Sequence, residues 1–474
     1  LEAKYTESKT GLDEPFGDGP WTFSNGLSNT FRVETFNVNS PGTVESFFIQ
    51  GGLRWQNLKL LTEGSVRICQ AGIRSQNDRT AVDKLPGYFE SSNNLYNEIW
   101  ALGPRTVQQA CIAADTAPST WEVTGDGVYL RGQQPAQSVA GASFSNYTMT
   151  FQTNIVRGGT GWKHSVCLDG AKRDRLVWSG DFVHTYRVIQ SSTYRSDFIT
   201  GSLEYWIGRQ APDSSQYAGY FSMSPAMGQS AKYVDTYASF GLLDYQLFLL
   251  NVFAGHYRNS GDKAFVTKHW AKIKKGQSIT GSAWAILAGV ANATQAESSL
   301  AALSSLRLGI GYKTTSSVAN ASSTNLAPFL TGFLLEAIMQ ESRNSPSSSK
   351  ARTTAIGVLL DQLWAAMVTQ NEYYTGTTWE YLYPDGRPGL DFYTSHAHPW
   401  AAAPTYVFSE YVLGVQATSA GFSEWEFRPA MLDVNLSWAR GRVPTPQGPI
   451  QASWQLNETS VQLSVCGPSG TEGV

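Results

Sequence analysis

Charge is scarce in this sequence, and the scarcity excludes several classes of protein. Asp, Glu, Lys and Arg make up 15% of the 474 residues, whereas an average globular chain has roughly 25%. Because the net charge is only −3, we expect no nucleic acid partner and no polybasic contact with a membrane. No run of 18 apolar residues occurs, so we also expect no transmembrane helix.

Cysteine is also rare, and the few that occur do not form a metal-binding pattern. Cys69, Cys111, Cys167 and Cys466 are too widely separated for a zinc site, and either buried thiols or one disulfide would account for them. No closely spaced set of His and Cys residues is present, and no glycine-rich loop is suited to binding a phosphate. We therefore predict a protein that uses no metal and no organic cofactor.

Aromatic residues and glycosylation sequons, in contrast, are frequent. Phe, Trp and Tyr make up 12% of the chain, an excess that fits either a large core or packing against the C–H faces of sugars, and we favour the sugars. Together with the low charge, five Asn-x-Ser/Thr sequons predict a secreted, extracellular glycoprotein. The sequons begin at Asn146, Asn292, Asn320, Asn435 and Asn457.

Hydrophobic patterning divides the chain into three regions. Residues 1–90 carry short β-like runs between turns, such as Val66–Ile73, and predict an N-terminal β-sandwich domain. Residues 91–418 predict a helical catalytic domain, with a β insert at about 118–167. Residues 419–474 predict a C-terminal β domain. Pairs of helices in one long block favour a helical toroid.

Local signals place individual elements within these regions. Ser91–Asn94 can cap a helix that carries Leu95, Ile99 and Trp100 at helical spacing. An apolar stripe from Phe240 to Ala254 predicts another helix. Near the C-terminus, four β-rich runs predict strands at Trp425–Arg428, Val434–Ala439, Ile450–Leu456 and Ser460–Val465.

Three segments rich in charged and aromatic residues stand out against this background. Residues 169–181 hold three carboxylates, three cations and one Trp, in the order Asp-Gly-Ala-Lys-Arg-Asp-Arg-Leu-Val-Trp-Ser-Gly-Asp. Taken alone, this run fits a solvated turn equally well, because Asp-Gly is a turn signal. Thr377–Glu380 and Ser395–Trp400 add a carboxylate, two histidines and two tryptophans. Such residues in separate loops are typical of an active site that folding assembles.

Cleavage of a glycosidic bond would need two carboxyl groups in different environments. One must hold a proton for the leaving oxygen, and the other must be ionised to activate water. Asp174 lies between Arg173 and Arg175, cations that would lower its pKa, whereas Glu380 has the apolar neighbour Trp379. The residues alone do not decide which carboxyl group is the acid.

The three segments resemble those of the α-L-rhamnosidases of glycoside hydrolase family 78, in their fungal form. Residues 169–181 resemble the signature loop of that family, Thr377–Glu380 its second carboxylate motif, and Ser395–Trp400 its active-site histidine loop. The resemblance extends in order along nearly the whole chain. Further matching segments are Leu53–Leu61, Leu95–Gly103, Phe427–Pro429, Trp438–Gly441 and Thr445–Ile450.

The resemblance implies a fold, an activity and a set of site residues. The fold would be an (α/α)6 toroid flanked by N-terminal and C-terminal antiparallel β-sandwich domains. The activity would be hydrolysis of terminal α-L-rhamnose with inversion, on flavonoid rhamnosides or on side chains of plant cell-wall polysaccharides. By motif position, Asp174 would be the general acid and Glu380 the general base. The implied or candidate substrate-binding residues are Asp169, Arg173, Trp178, Asp181, Trp379 and His398.

Two departures from the family pattern leave other interpretations open. The stretch between Lys275 and Thr280 is shorter than in the family, and the acid is Asp174 where many bacterial members have Glu. The alternatives are another carbohydrate-active enzyme built on a helical toroid, or a glycan-binding relative that has lost catalysis. A uronate lyase is disfavoured because two paired carboxylates suit hydrolysis better than elimination, and an intact Asp174 and Glu380 argue against loss of catalysis.

Overall fold

The fold is described here from a computed structural model. It describes residues 1–18, 32–46, 51–114, 116, 121–125, 127–130, 165–171, 176–212, 214–215, 217–225, 240, 242–284, 300–301, 303–313, 318–345 and 347–474. Arg173, Asp174 and most of the predicted β insert lie outside these residues.

Most helices lie between residues 94 and 412, as the apolar spacing predicts. They are α1 (Asn94–Ala110), α2 (Phe182–Ser191), α3 (Ser196–Ile207), α4 (Leu243–Ser260), α5 (Lys263–Trp284), α6 (Pro328–Asn344), α7 (Lys350–Val358), α8 (Ala365–Thr369) and α9 (Ala403–Val407). A π-helical segment, Leu359–Trp364, joins α7 to α8, and another, Phe408–Val412, continues α9.

Local chemistry explains where several of these helices begin and end. The Asn93 side chain accepts the N–H of Leu95 and caps α1, close to the predicted start. Ser349 caps α7 in the same way. Pro328 occupies the first turn of α6, where its missing N–H costs nothing. Gly261 ends α4 with a φ of 67°, a conformation that glycine adopts without strain.

The helices pack closely around one large apolar core. The α1 helix lies so close to α9 that a Cβ atom at Gly103 would overlap the Thr405 hydroxyl. Thr405 in turn donates a hydrogen bond to the carbonyl of Trp100 at 2.8 Å. Trp100, Trp206 and Trp364 are fully buried in this core, which gives the loops that follow the helices a rigid support.

Two main groups of strands flank the helices. The N-terminal sheet contains Glu2–Thr6, Val33–Thr35 and Trp55–Lys59, with the first strand in the middle and both neighbours antiparallel to it. No strand forms over Val66–Ile73, contrary to the prediction, because Val66, Ile68 and Ile73 are exposed and have no sheet to pair with in the described part of the chain.

Three of the four predicted C-terminal strands form close to their predicted positions, whereas the strand predicted at Val434–Ala439 lies further along the chain, at Trp438–Val443. A four-stranded antiparallel sheet contains Val461–Cys466, Ile450–Leu456, Trp438–Val443 and Tyr88–Ser91, in that order. The strand Tyr88–Ser91 comes from the N-terminal part of the sequence and pairs Glu90 with Arg440. A second, three-stranded sheet contains Val415–Ala417, Glu424–Phe427 and Glu472–Gly473.

Three short strand pairs lie outside these sheets. They are Cys111–Ile112 with Val166–Cys167, Trp121–Thr124 with Gly127–Leu130, and Arg307–Leu308 with Gly311–Tyr312. In the first pair a disulfide joins Cys111 to Cys167, so these two cysteines are not buried free thiols. Cys69 and Cys466 are free and exposed. Among the helices of the described residues, none is long and apolar enough to cross a membrane.

Candidate active site

Folding brings together residues from all three segments singled out in the sequence. Asp169, Asp181, Glu380 and His398 lie on loops or at a helix terminus, and their exposed fractions are only 4%, 5%, 4% and 2%. Burial of an ionisable group is costly unless partners compensate it. Several such groups buried beside one another, at the ends of elements, are typical of a functional site.

In the described part of the first segment, Asp169 pairs with Leu176, and Ala171 lies beside the third segment. The Asp169 N–H donates to the carbonyl of Leu176 at 3.0 Å, and Asp169 Oδ1 accepts the N–H of Leu176 at 3.1 Å. The N–H of Ala171 donates to the carbonyl of Ala397 at 3.0 Å. Asp169 and Ala171 are therefore both fixed by hydrogen bonds, and Ala171 lies directly against Ala397.

A histidine connects the first segment to the second. His398 Nε2 lies 3.2 Å from Asp181 Oδ1, and His398 Nδ1 lies 3.9 Å from Glu380 Oε2. Asp181 immediately precedes α2, so the helix N-terminus also favours its negative charge. One imidazole thus lies between two carboxylates that are almost two hundred residues apart in sequence.

Glu380 is held on both sides by the third segment. Its Oε2 accepts the N–H of Ser395 at 3.0 Å, and its own N–H donates to the Ser395 carbonyl at 3.0 Å. The indole N–H of Trp400 donates to the Glu380 carbonyl, also at 3.0 Å. The first of these bonds orients the carboxylate, and the other two hold the backbone of Glu380.

Four half-buried rings surround these charged groups. Trp178 and Tyr245 meet edge to face with ring centroids 5.8 Å apart, and the Tyr245 hydroxyl donates to Asp181 Oδ2 at 3.1 Å. Burial and the Asp181 carboxylate raise the pKa of Tyr245, so this hydroxyl keeps its proton and acts as a donor. On the other side, Trp400 packs against Tyr381, with centroids 5.3 Å apart.

Trp379 does not share this environment. Its exposed fraction is 0%, its ring lies against His396 with centroids 5.3 Å apart, and its indole N–H donates to Thr375. This placement favours the core alternative over a platform for a sugar. Trp178, which is only half-buried, retains the environment expected of a binding residue.

Sequence reasoning missed several of these neighbours. Tyr245 lies on α4 and had no motif of its own, while Trp400 was counted only as part of the histidine loop. Thr106 on α1 accepts the N–H of Thr378 at 2.8 Å and so supports the Glu380 segment from the core. None of these contacts has a signal in local sequence, because each depends on long-range packing.

A partly buried ionic network lies next to the four rings. Arg187 on α2 is paired with Glu336 and with Glu410, each at 2.6 Å. Although burial opposes the charge, these two carboxylates raise the pKa of Arg187. Tyr406 bridges Glu336 and His184 Nδ1 through its hydroxyl. Burial lowers the pKa of His184 to about 4, so this imidazole is neutral at ordinary pH.

The network is linked to the site through one aromatic contact. His184 Nε2 lies 3.2 Å from the carbonyl of Phe329, and the Phe329 ring stacks on Trp400 at a centroid distance of 5.2 Å. The arrangement supplies oriented carboxylates, hydrogen-bond donors and rings. In the described part of the chain, no group of three or more His, Cys, Asp or Glu side chains is arranged to hold a metal ion.

Comparison with known proteins identifies one part of the chain by its sequence. Residues 414–474 match the model of the bacterial alpha-L-rhamnosidase C-terminal domain. This match confirms the family resemblance over the C-terminal sheets. No curated protein matches the chain.

Similar solved structures are themselves rhamnosidases. A family 78 rhamnosidase from Bacillus sp. GL1 is 14% identical, with 82% of this chain covering 43% of that one at a TM-score of 0.44. An Aspergillus terreus α-L-rhamnosidase is 14% identical, and the match covers 82% of this chain and 47% of that chain at a TM-score of 0.46. A rhamnose-bound Klebsiella oxytoca rhamnosidase is 14% identical, and the match covers 86% of this chain and 81% of that chain at a TM-score of 0.47. The chain thus spans less than half of the first two proteins, and superpositions this loose do not establish the arrangement of the helices.

Proposed function

We propose that this protein is a glycoside hydrolase that removes terminal α-L-rhamnose from rhamnosides with inversion of configuration. The observation that carries the proposal is the buried constellation of Asp169, Asp181, Glu380 and His398, assembled from three segments that resemble the α-L-rhamnosidase motifs. The match of the C-terminal domain to the same family supports it from an independent part of the chain.

The proposed reaction uses two carboxyl groups and one water molecule. Asp174 gives its proton to the glycosidic oxygen as the bond from this oxygen to C1 breaks. Glu380 takes a proton from the water that attacks C1 on the opposite face. Rhamnose leaves with its anomeric configuration inverted, and the aglycone leaves as an alcohol. In this mechanism the carboxyl groups of Asp174 and Glu380 lie roughly 6.5–9.5 Å apart.

Binding of the sugar is assigned to the groups around these two residues. Asp169, Asp181, Arg173 and His398 would hold the hydroxyls through charge-assisted bonds. Trp178 would face the apolar C6 methyl group. Flavonoid rhamnosides and plant cell-wall side chains are the proposed substrates, and we place them outside the cell, where a secreted glycoprotein built on an (α/α)6 toroid would act.

The test is hydrolysis of p-nitrophenyl α-L-rhamnoside, followed by NMR of the first product formed. The β anomer should appear first, as inversion requires. Glu380→Gln and Asp174→Asn should each lower kcat by at least about a hundredfold, the low end for acid–base residues. Glu458→Gln, a change at an exposed hairpin position, is the matched control. No release of nitrophenol by the unmodified protein would refute the function, and an α anomer would refute inversion.

A further inference from the structure

A buried carboxylate from the N-terminal sheet contacts the loop that orients Glu380. Glu7 directly follows the strand Glu2–Thr6, and its exposed fraction is 3%. Its Oε2 accepts the backbone N–H of His396 at 2.9 Å. Since 389 residues separate the two partners, this contact connects the start of the chain to the third segment of the site.

Two carboxylates hold two successive peptide groups of that loop. The N–H of Ser395 donates to Glu380 Oε2 at 3.0 Å, and the next N–H, that of His396, donates to Glu7 Oε2. A hydrogen bond to an ionised acceptor is roughly twice as strong as a neutral one. Movement of the His396 peptide would also move Ser395, and with it the group that orients Glu380.

Glu7 is itself fixed by its surroundings. Its backbone N–H donates to Asp18 Oδ2 at 2.8 Å, and Asp18 forms a buried ion pair with Arg32 at 2.8 Å. Arg32 extends to the carbonyl of Gly51 at 2.6 Å. The neighbouring Gly52 has a φ of 57°, and a Cβ atom there would overlap the Glu7 carboxylate.

We propose that Glu7 is a positioning residue for the reaction, which holds the Ser395–His398 loop so that Glu380 keeps its orientation toward water. The inference rests on the proposed function, because it assigns Glu380 the role of base. It also gives the N-terminal sheet a part in catalysis, through a side chain that need not touch the sugar. The buried Glu7 side chain satisfies a backbone donor, and a buried polar group without such a partner would be costly.

The test combines kinetics with amide hydrogen exchange on the whole chain. Glu7→Ala should lower kcat on p-nitrophenyl α-L-rhamnoside by about tenfold to a hundredfold, because small misplacement of a catalytic group has effects of that size. KM should change less than kcat, because His398 is the one proposed sugar-binding residue on the Ser395–His398 loop. Amides of residues 394–398 should exchange at least about tenfold faster. Glu14→Ala removes an exposed carboxylate of the same segment and should change neither kcat nor the rate of amide exchange.

Two further variants keep the proposal falsifiable if Glu7→Ala folds poorly. Glu7→Gln retains an acceptor oxygen, so its kcat should be much closer to that of the unmodified protein than the kcat of Glu7→Ala is. A general loss of folded protein would not explain this difference between the two variants. Gly52→Ala keeps the carboxylate but displaces it, and should reproduce the fall in kcat.

The outcomes separate the two proposals. Unchanged kcat and unchanged exchange in Glu7→Ala would overturn the positioning role and leave the proposed function intact. An inactive unmodified protein would overturn the proposed function before any variant is made. In that case faster amide exchange of residues 394–398 in Glu7→Ala would still support Glu7 as the group that holds the loop, and unchanged exchange would overturn this role as well.

Discussion

At the scale of single residues, two tryptophans that look equivalent in sequence have different surroundings. Each adjoins a charged segment of the site, yet Trp379 is fully buried against His396 while Trp178 is half-buried beside Tyr245. Burial decides which ring a ligand can reach, since a sugar can pack only on a face that is open to solvent.

The two rings therefore predict opposite effects of one substitution. Trp379→Phe should lower the free energy of unfolding by about 2 kcal/mol, because it leaves a cavity and removes the donor to Thr375, while KM for the rhamnoside stays the same. Trp178→Phe should raise KM with a smaller effect on stability. Urea titration and steady-state kinetics measure both quantities, and a raised KM in Trp379→Phe would return that ring to the sugar site.

At the scale of elements, α1 supports two of the three segments of the candidate site. Its C-terminal residue is followed by Cys111, which the disulfide joins to Cys167, two positions before Asp169. One turn earlier, Thr106 supports Thr378, two positions before Glu380. The relative placement of the first and second segments therefore depends on one helix.

Removal of the disulfide tests that dependence. The double variant Cys111→Ala/Cys167→Ala should lose about 2–4 kcal/mol of stability, the usual effect of a native disulfide. It should also lose activity, because the base of the Asp169 loop is released. Cys466→Ala, which removes an exposed free thiol, is the control for loss of a sulfur atom. Full activity in the double variant would show that other contacts hold the loop.

The ionic network between α2, α6 and α9 predicts a dependence of stability on pH. The unfolded imidazole of His184 binds its proton near pH 6.5, whereas burial lowers the folded pKa to about 4. Between these values the unfolded state binds more protons, so stability is complete above pH 6.5 and falls as the pH decreases toward 4. The loss should reach about 3 kcal/mol.

Urea unfolding at several pH values measures this slope. His184→Gln should flatten the curve between pH 6.5 and pH 4, because the substituted side chain does not titrate in this range. A slope that is unchanged in His184→Gln would assign the acid sensitivity to other groups.

At the scale of the whole molecule, the C-terminal sheet is joined to the helices by shared structure. The strand Tyr88–Ser91, which leads into α1, pairs with Trp438–Val443. Phe89 of this strand stacks on Phe408 at a centroid distance of 5.1 Å, and the Trp454 indole donates to the Val412 carbonyl at 2.8 Å. Neither part buries its apolar surface without the other.

We therefore expect the C-terminal sheet and the helical region to unfold together. Trp454→Ala should destabilise the protein by about 3–5 kcal/mol and move one calorimetric transition to lower temperature without splitting it. Leu463→Ala, on an exposed face of the outer strand, should leave the transition nearly unchanged. A separate early transition in Trp454→Ala would mean that the sheet is an independent unit.

The sequence by itself determined the features that depend on local chemistry. Apolar spacing and the cap at Asn93 placed α1, and alternating residues placed the strand Ile450–Leu456 at its observed limits. The three charged and aromatic segments were recognisable because they contrast with a chain that is otherwise poor in charge. Tertiary structure alone decided which residues meet. It paired Tyr88–Ser91 with a C-terminal strand, buried Trp379, placed His398 between Asp181 and Glu380, and joined Glu7 to His396. The physical reason is that local preferences act over a few residues, whereas these contacts join groups from eighteen to several hundred residues apart, and only the packing of the complete core brings them together.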